Sequence, residues 1–444
     1  MTKYNFIDLF SGCGGLSLGL SLAGLQGLFA IEKDPMAFET FSENFLGERK
    51  IPINKFDWPS WLEKKAWGID DLLDEHHYRL TRLRGKVGIL AGGPPCQGFS
   101  FSGKRLESDP RNLLFQKYVE VVDAVRPAAL VLENVPGMKV PHVGKGSGIN
   151  GKRSSESYYD KLKKSLEAIG YQVDFQIMDA SRFGVPQKRS RLIVLGLNKK
   201  VSTKLEGGIQ RVFKLLDEKR LEQLAQLRLS EVVTASDAIS DLRTNQTTLQ
   251  ACTDPYSPKR FEEAVYLGPD TTYQKLMNKH CRNDAMDSMR LARHRQEVRD
   301  RFKRILDECT PGVLMSKDDR SRFGLKKHRI YVMSEDLPAP TITTLPDDVL
   351  HYAEPRILTV RESARIQSFP DWFRFRGKFT TGGSMRVKEC PRYTQVGNAV
   401  PPYLARAIGL ALTAALSEAS RNDKKKSRHR AGFEATEPKM LVAV

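Results

Sequence analysis

From Phe6 to about Leu197 the chain alternates short apolar runs with longer stretches of helical period. Phe6-Ile7-Asp8-Leu9-Phe10, Leu28-Phe29-Ala30-Ile31-Glu32, Val87-Gly88-Ile89-Leu90-Ala91, Ala129-Leu130-Val131-Leu132-Glu133 and Arg191 to Gly196 read as buried strands. Helical patterns run from Leu16 to Ala23, from Pro35 onward, from Leu113 to Val125, and from Tyr158 to Ile169, where Gly170 stops the helix. Strands alternating with helices predict an α/β fold, a mostly parallel sheet with helices on both faces.

The alternation fades between about Leu205 and Leu350. One amphipathic helix stands out there, with Val298, Phe302, Ile305 and Leu306 on one face. Arg290, Arg293, Arg295, Arg299, Arg301, Lys303 and Arg304 crowd the same stretch, and either a solvated face or phosphate contact explains them. Pro401 to Ala415 is an apolar helix that reads as buried against the sheet. Lys139 to Ser157, rich in Gly, Ser and Lys, reads as a long mobile loop, and the basic run from Arg421 to Arg430 as a disordered tail.

Composition narrows the partner. The 444 residues carry a formal net charge of +18, which favours a polyanion, nucleic acid ahead of a membrane surface. Apolar content of 40% and 28% charged residues fit an ordinary globular chain of two or three domains. No apolar run approaches the roughly 20 residues of a membrane span. Met1-Thr2-Lys3-Tyr4 leads straight into a strand, so no signal peptide is expected. The six cysteines show no Cys-x-x-Cys spacing, which suggests neither a metal site nor a redox pair and fits a reducing compartment.

Five segments carry candidate chemistry. In Asp8-Leu9-Phe10-Ser11-Gly12-Cys13-Gly14-Gly15 a glycine turn joins the first strand to the first helix, and Glu32 ends the second strand about 20 residues later. That pair suits an adenosine-containing cofactor, although a tight turn and a surface acid give the same pattern. In Gly92-Gly93-Pro94-Pro95-Cys96-Gln97-Gly98-Phe99-Ser100 a stiff turn at the sheet edge presents one cysteine, a position suited to a nucleophile. Glu133-Asn134-Val135 ends the strand that begins at Ala129 and places an acid beside that loop. In Gln187-Lys188-Arg189-Ser190-Arg191 alternation would put Gln187, Arg189 and Arg191 on one face, able to hold phosphate and a polar ring edge, or simply to charge a strand entry. Gln395-Val396-Gly397-Asn398-Ala399-Val400-Pro401-Pro402 leads into the last helix.

In this order the five segments resemble the DNA (cytosine-5) methyltransferase family, of the prokaryotic restriction–modification type. Arg356-Ile357-Leu358-Thr359-Val360-Arg361-Glu362-Ser363-Ala364-Arg365-Ile366-Gln367-Ser368-Phe369-Pro370 resembles the family's ninth motif. The resemblance covers about 190 residues at one end and about 65 near the other. It implies a Rossmann-like S-adenosylmethionine-dependent methyltransferase domain over 1–204, completed by a helix over 396–418. A smaller, irregular target recognition domain would span 205–350, a hinge with the ninth motif 351–395, and a basic disordered tail 419–444. The implied S-adenosylmethionine site is lined by Phe10, Gly12, Gly14, Gly15, Glu32, Asp57, Pro94, Leu114 and Asn398, with Phe10 on the adenine and Glu32 on the ribose. Lys33 stands where the family usually has a large apolar or aromatic residue. The implied catalytic set is Cys96 as nucleophile, Glu133 as acid at the ring nitrogen, and Arg191 with Arg189 at the flipped base. No metal is implied. The partners would be double-stranded DNA, bound by a monomer, and a cognate restriction endonuclease linked by function, in a cytoplasmic, nucleoid-associated setting without membrane contact. A tRNA cytosine-5 methyltransferase and a silent DNA-binding regulator are the rival readings.

Overall fold

The computed structural model describes residues 4–95, 113–140, 156–281, 286–327, 329–382 and 389–434, with side chains to 425. Cys96 and most of the Lys139–Ser157 stretch lie outside the described residues.

Six strands make one sheet: β1 (Asn5–Leu9), β2 (Gln26–Ile31), β3 (Ile89–Gly92), β4 (Ala129–Asn134), β5 (Tyr171–Asp179) and β6 (Ser190–Asn198), in the order β2-β1-β3-β4-β6-β5. The first four are mutually parallel. β6 runs antiparallel to both of its neighbours. The sheet is therefore more mixed than the sequence pattern predicts, because β5 was not among the expected strands. The chain turns back after β5, so β6 enters between β4 and β5 in reverse. This inversion brings the start of β6 to the edge where β4 ends.

The two-residue period of the strands divides the core. Ile7, Leu9, Leu90, Leu130, Leu132, Leu192 and Val194 face one side, under the helices α3 (Ile69–Thr81), α4 (Leu114–Val125) and α5 (Tyr158–Ala168). Phe6, Ile89, Ala91, Ala129, Val131, Ile193 and Leu195 face the other, under α1 (Gly15–Leu22), α2 (Pro35–Phe45), a helix at Ile209–Leu227 and the C-terminal helix Pro402–Glu434. α2 starts as the sequence suggests: Pro35 takes the first position, and the Asp34 carboxylate caps Met36 and Ala37 N–H. The C-terminal helix lies tightly on α1. A Cβ on Gly19 would sit 2.3 Å from Ala405 Cβ and 2.4 Å from Pro402 O, so only glycine allows this approach.

Two helices were not read from the sequence. Ile69–Thr81 covers the α4 side, and Ile209–Leu227 packs on the C-terminal helix through buried Ile209, Val212, Leu216 and Leu224. Of the tail expected to be disordered (419–444), residues 435–444 lie outside the described residues, and the part up to Glu434 continues the helix that starts at Pro402. Its extension is held by buried Ala419, by a Lys204–Asp423 ion pair at 2.8 Å and by Asn422 Nδ2 donating to Lys204 O at 2.9 Å.

Between Leu229 and Leu350 most elements are short, the exception being the expected amphipathic helix, which runs Gln296–Glu308 with Phe302 and Ile305 buried. A separate small core gathers Phe302, Ile305, Met315, Phe323, Ile330, Val332, Leu350 and Ile357. Eight side chains at roughly 1.5–3 kcal/mol each make a modest core. Buried ion pairs join this region to the motif around Arg365. Arg365, with no exposed surface, bonds Asp241 at 2.6 Å and Asp371 at 2.8 Å, and Arg356 bonds Glu362 at 2.7 Å. Among the basic residues near Gln296–Glu308, Arg290 does not face solvent as a phosphate contact would. Its guanidinium lies between Phe261 and Phe379, 4.0 and 4.2 Å from the ring centroids. Arg293, Arg295 and Arg299 are exposed, whereas Lys303 and Arg304 pair with Asp307 and Glu308 one turn on.

Candidate active site

Four adjacent parallel strands end at one level, with Leu9 opposite both Ile31 and Gly92, and Gly92 opposite Leu132. Ligands in open α/β sheets bind beyond such strand ends. Here that edge collects Phe10, Glu32, Gly93-Pro94 and Glu133-Asn134.

The glycine turn is built by hydrogen bonds to its neighbours. Ser11 N–H donates to Ile31 O at 3.0 Å, and Gly14 N–H to Ser11 O at 2.9 Å. Gly14 (φ 98°) then caps α1 in a left-handed conformation that suits glycine. Phe10 has φ 59°, which strains an aromatic residue by about 1–3 kcal/mol and is typical of functional positions. Glu32 accepts from Gly12 N–H at 2.8 Å and Asp34 N–H at 2.7 Å. Burial raises its carboxyl above the usual range. Two more acceptor sites remain on such a carboxylate, enough for ribose hydroxyls. Beneath the turn, Asp8 is fully buried and accepts from Ser17 Oγ at 2.6 Å; burial raises its carboxyl to about 7. Neither Asp8 nor Ser17 was singled out from sequence, although Asp8 opens the glycine motif.

Asn398 ends the helix Arg392–Asn398 and is its one exposed residue, so its amide is open to a ligand. The rest of that helix is fixed. Gln395 accepts from Thr40 Oγ1 at 2.7 Å and donates to Cys390 O at 3.0 Å, while Cys13 Sγ lies 3.6 Å from Gln395 O. Cys13 is a buried turn residue whose thiol is pushed up to about 12 by desolvation. Leu114 starts α4, half-buried on the other wall. A strained aromatic, a glycine turn, a carboxylate with spare acceptors and an exposed amide fit an adenosine cofactor with an amino-acid tail.

Asp57 does not belong to this group. Its N–H donates to Gly27 O at 2.8 Å, and it lines a shallow cleft with Asn5, Gln26, Gly88 and Ala128, at the starts of the strands. Five residues along β2 separate Gly27 from Glu32, about 16 Å. The neighbouring Trp58 packs among Phe29, Phe38 and Phe41 and holds Asp57 at the far end. The segment beside Glu32 is instead the start of α3, where Trp67 N–H donates to Glu32 O at 2.8 Å.

The catalytic half forms around Glu133. Arg191 Nε lies 2.7 Å from Glu133 Oε1, and both side chains are nearly buried. This contact needs the reversed β6, whose residue Leu192 sits opposite Asn134 and leaves Arg191 at the edge. Asn134 Nδ2 donates to Pro94 O at 3.1 Å and straps the start of the Cys96 turn to β4. A Cβ on Gly93 would lie 3.6 Å from Glu133 Oε2. The described part of the turn thus passes directly over the carboxylate. Glu133 is legible at its strand end, whereas the strap supplied by Asn134 depends on Pro94, 40 residues away, and has no local signal.

Gln187 and Arg189 do not join Arg191. Arg189 is buried, and its guanidinium donates to the carbonyls of Ile342 (2.9 Å), Gly397 (2.8 Å) and Ala399 (3.2 Å). It ties β6 to the chain around Asn398 and does not reach a substrate. Gln187 is also buried, donating to Gln367 Oε1 at 2.9 Å and accepting from Ile342 N–H at 2.9 Å.

Comparison with known proteins agrees with this geometry. Residues 4–414 match the family model for C-5 cytosine-specific DNA methylases. The chain is 31% identical over 416 residues to the type II methyltransferase M.DdeI of Desulfomicrobium norvegicum, covering 91% of this chain and 87% of that protein. It is 31% identical over 436 residues to M.XorII of Xanthomonas oryzae pv. oryzae, covering 92% and 84%. A crystal structure described as a prophage-encoded DNA modification methyltransferase from E. coli superposes with a TM-score of 0.60 at 25% identity, over 94% of this chain and 100% of that one. With the strand-end edge, the glycine turn and the Glu133–Arg191 pair in place, the chain belongs to the C-5 cytosine-specific DNA methylase family.

Proposed function

We propose that this DNA (cytosine-5) methyltransferase acts on a cytosine turned out of the duplex, through a covalent adduct on Cys96. The observation that carries the reading is the Glu133–Arg191 pair at 2.7 Å, under the turn that leads from Gly93 to Cys96. S-adenosylmethionine, held by Phe10, Gly12, Gly14, Gly15, Glu32, Pro94, Leu114 and Asn398, would supply an electrophilic methyl group. Carbon 5 of cytosine is a weak nucleophile. Addition of the Cys96 thiolate to carbon 6 places an electron pair on the ring, and carbon 5 becomes enamine-like. Glu133 donates a hydrogen bond or proton at ring nitrogen 3 and stabilises that electron-rich adduct. Arg191 orients the Glu133 carboxyl and faces the same base. The methyl group would move to carbon 5 as its bond to the sulfonium sulfur breaks, leaving a neutral thioether; the carbon 5 proton then passes to water, the carbon 6–sulfur bond breaks, any proton on nitrogen 3 returns to Glu133, and the thiolate is restored.

A stacked base cannot reach Cys96, so the target leaves the helix at a cost of a few kcal/mol. The region after Leu229, with exposed Arg293, Arg295 and Arg299, supplies the duplex-binding surface and the base readout. The helix Ile209–Leu227, packed on the C-terminal helix, goes with the catalytic lobe, so recognition begins beyond it. The names of the type II relatives support a role in protecting host DNA beside a cognate endonuclease.

Transfer of label from methyl-labelled S-adenosylmethionine to duplex DNA tests this reading. Cys96→Ser is expected to abolish it. Duplex carrying 5-fluorocytosine is expected to trap a heat-stable protein–DNA complex, because fluorine does not leave as a proton does. Full activity in the Cys96→Ser variant, or no trapped complex, overturns the mechanism. Bisulfite sequencing of DNA from a methylation-free host would identify the target.

A further inference from the structure

We infer that Asp254 and Tyr256, far from the chemistry in sequence, are positioning residues for the cofactor site. They sit on the turn of a hairpin formed by β7 (Leu249–Ala251) and β8 (Glu262–Ala264), inside the region expected to read DNA. The turn nevertheless points back at the catalytic lobe. Asp254 organises it by accepting from Tyr256 N–H at 2.9 Å. The same carboxylate binds Arg392, whose Nη2 donates to Asp254 Oδ1 at 3.0 Å. Arg392 is fully buried and further fixed by Gly377 O at 2.9 Å, Ser288 Oγ at 2.9 Å and the Phe379 ring at 4.2 Å.

Arg392 is the first residue of the helix that ends in Asn398. That helix spans seven residues, about 10 Å, and Gln395 locks its middle to α2. A hold on Arg392 therefore sets the position of Asn398. Tyr256 makes the second hold: its hydroxyl donates to the Glu39 carboxylate on α2. α2 starts just after Glu32 and Asp34, which share one hydrogen bond. One turn thus grips the helix that ends in Asn398 and the helix that follows Glu32 three residues on.

The inference rests on the S-adenosylmethionine reading, and the experiment separates the two. In the full chain, the affinity for S-adenosylmethionine is measured by titration calorimetry, with turnover and duplex affinity beside it. Tyr256→Phe removes one hydroxyl and is expected to raise cofactor Kd and KM roughly three- to tenfold, with kcat and DNA affinity held within about twofold. Glu39→Gln keeps an acceptor and is expected to stay near wild type. Glu39→Ala should reproduce Tyr256→Phe, and the double variant should be no weaker than either. Asp254→Asn is expected to act in the same direction. Unchanged cofactor affinity in Tyr256→Phe overturns the inference, as does a parallel fall in cofactor affinity, DNA affinity and Tm. A wild-type chain that binds no S-adenosylmethionine overturns the cofactor reading and this inference with it.

Discussion

Replacing Asp8 by asparagine should make this protein's stability much less sensitive to pH. Asp8 lies under the glycine turn, fully buried, with Ser17 Oγ on one oxygen and no partner for Oδ1 among the described residues. Its carboxyl is raised from 3.8 to about 7 by desolvation, opposed by the Ser17 bond. The folded state therefore holds this proton more tightly than the unfolded state. Folding takes up a proton between these values, and stability falls as pH rises through that window. At roughly 1.4 kcal/mol per pH unit, the loss between pH 4.5 and pH 8 comes to about 3 kcal/mol. Asparagine keeps an acceptor for Ser17 and carries no charge. Its amide N–H is left without a partner at a cost of about 1–3 kcal/mol, independent of pH. Urea unfolding of both proteins at the two pH values isolates the term, because every other titrating group cancels in the difference. The gap between variant and wild type should shift by about 3 kcal/mol in favour of Asp8→Asn at pH 8. A shift under about 1 kcal/mol would show that Asp8 ionises at an ordinary carboxylate value and refute the reasoning.

Arg191→Ala should lower turnover by about 10²–10³-fold with little change in cofactor affinity, since it removes the orienting partner of Glu133; single-turnover kinetics check this. Arg365→Met should destabilise the fold by about 3–5 kcal/mol, leaving Asp241 and Asp371 buried and facing each other, as read from denaturant midpoints. Asp57→Ala should leave cofactor KM within about twofold of wild type, as expected for an exposed residue at the far end of the sheet.

The features legible in sequence are those with local causes. Strand runs, the glycine turn, the Pro35 helix start and Glu133 at a strand end are each set by neighbours in the chain. β5 left a signal in the alternation of Tyr171, Val173 and Phe175, but it is an edge strand, and its period breaks where Ile177 is exposed and Met178 is buried. Ile209–Leu227 also carried a helical period that went unread. Arg189 had no such signal. Its three carbonyl partners lie 153, 208 and 210 residues away, so no local pattern separates it from Arg191. Asp57 failed for a related reason: a two-residue match fixes no register, and Trp58 decides where the pair goes. The helix beyond residue 418 is not legible from composition, because charge content does not reveal that Ala419 carries the buried face of the preceding helix one turn further.

The contact between α1 and the C-terminal helix sets a schedule for synthesis. Glu133 and Arg191, and Cys96 before them, leave the ribosome early, but α1 finds its covering surface only when residues beyond Pro402 emerge. At roughly 5–20 residues per second, that wait lasts about 20–80 s. Until it ends, the chain has its chemical groups but lacks Asn398, and the face of α1 that meets the C-terminal helix stays open. A chain truncated at 391 is therefore expected to methylate nothing in a labelled-methyl assay, although it contains every residue assigned to the chemistry. Activity from that fragment would show that the lobe closes without its last helix. Closure of the catalytic lobe thus depends on a helix that lies about 200 residues beyond the last group assigned to the chemistry.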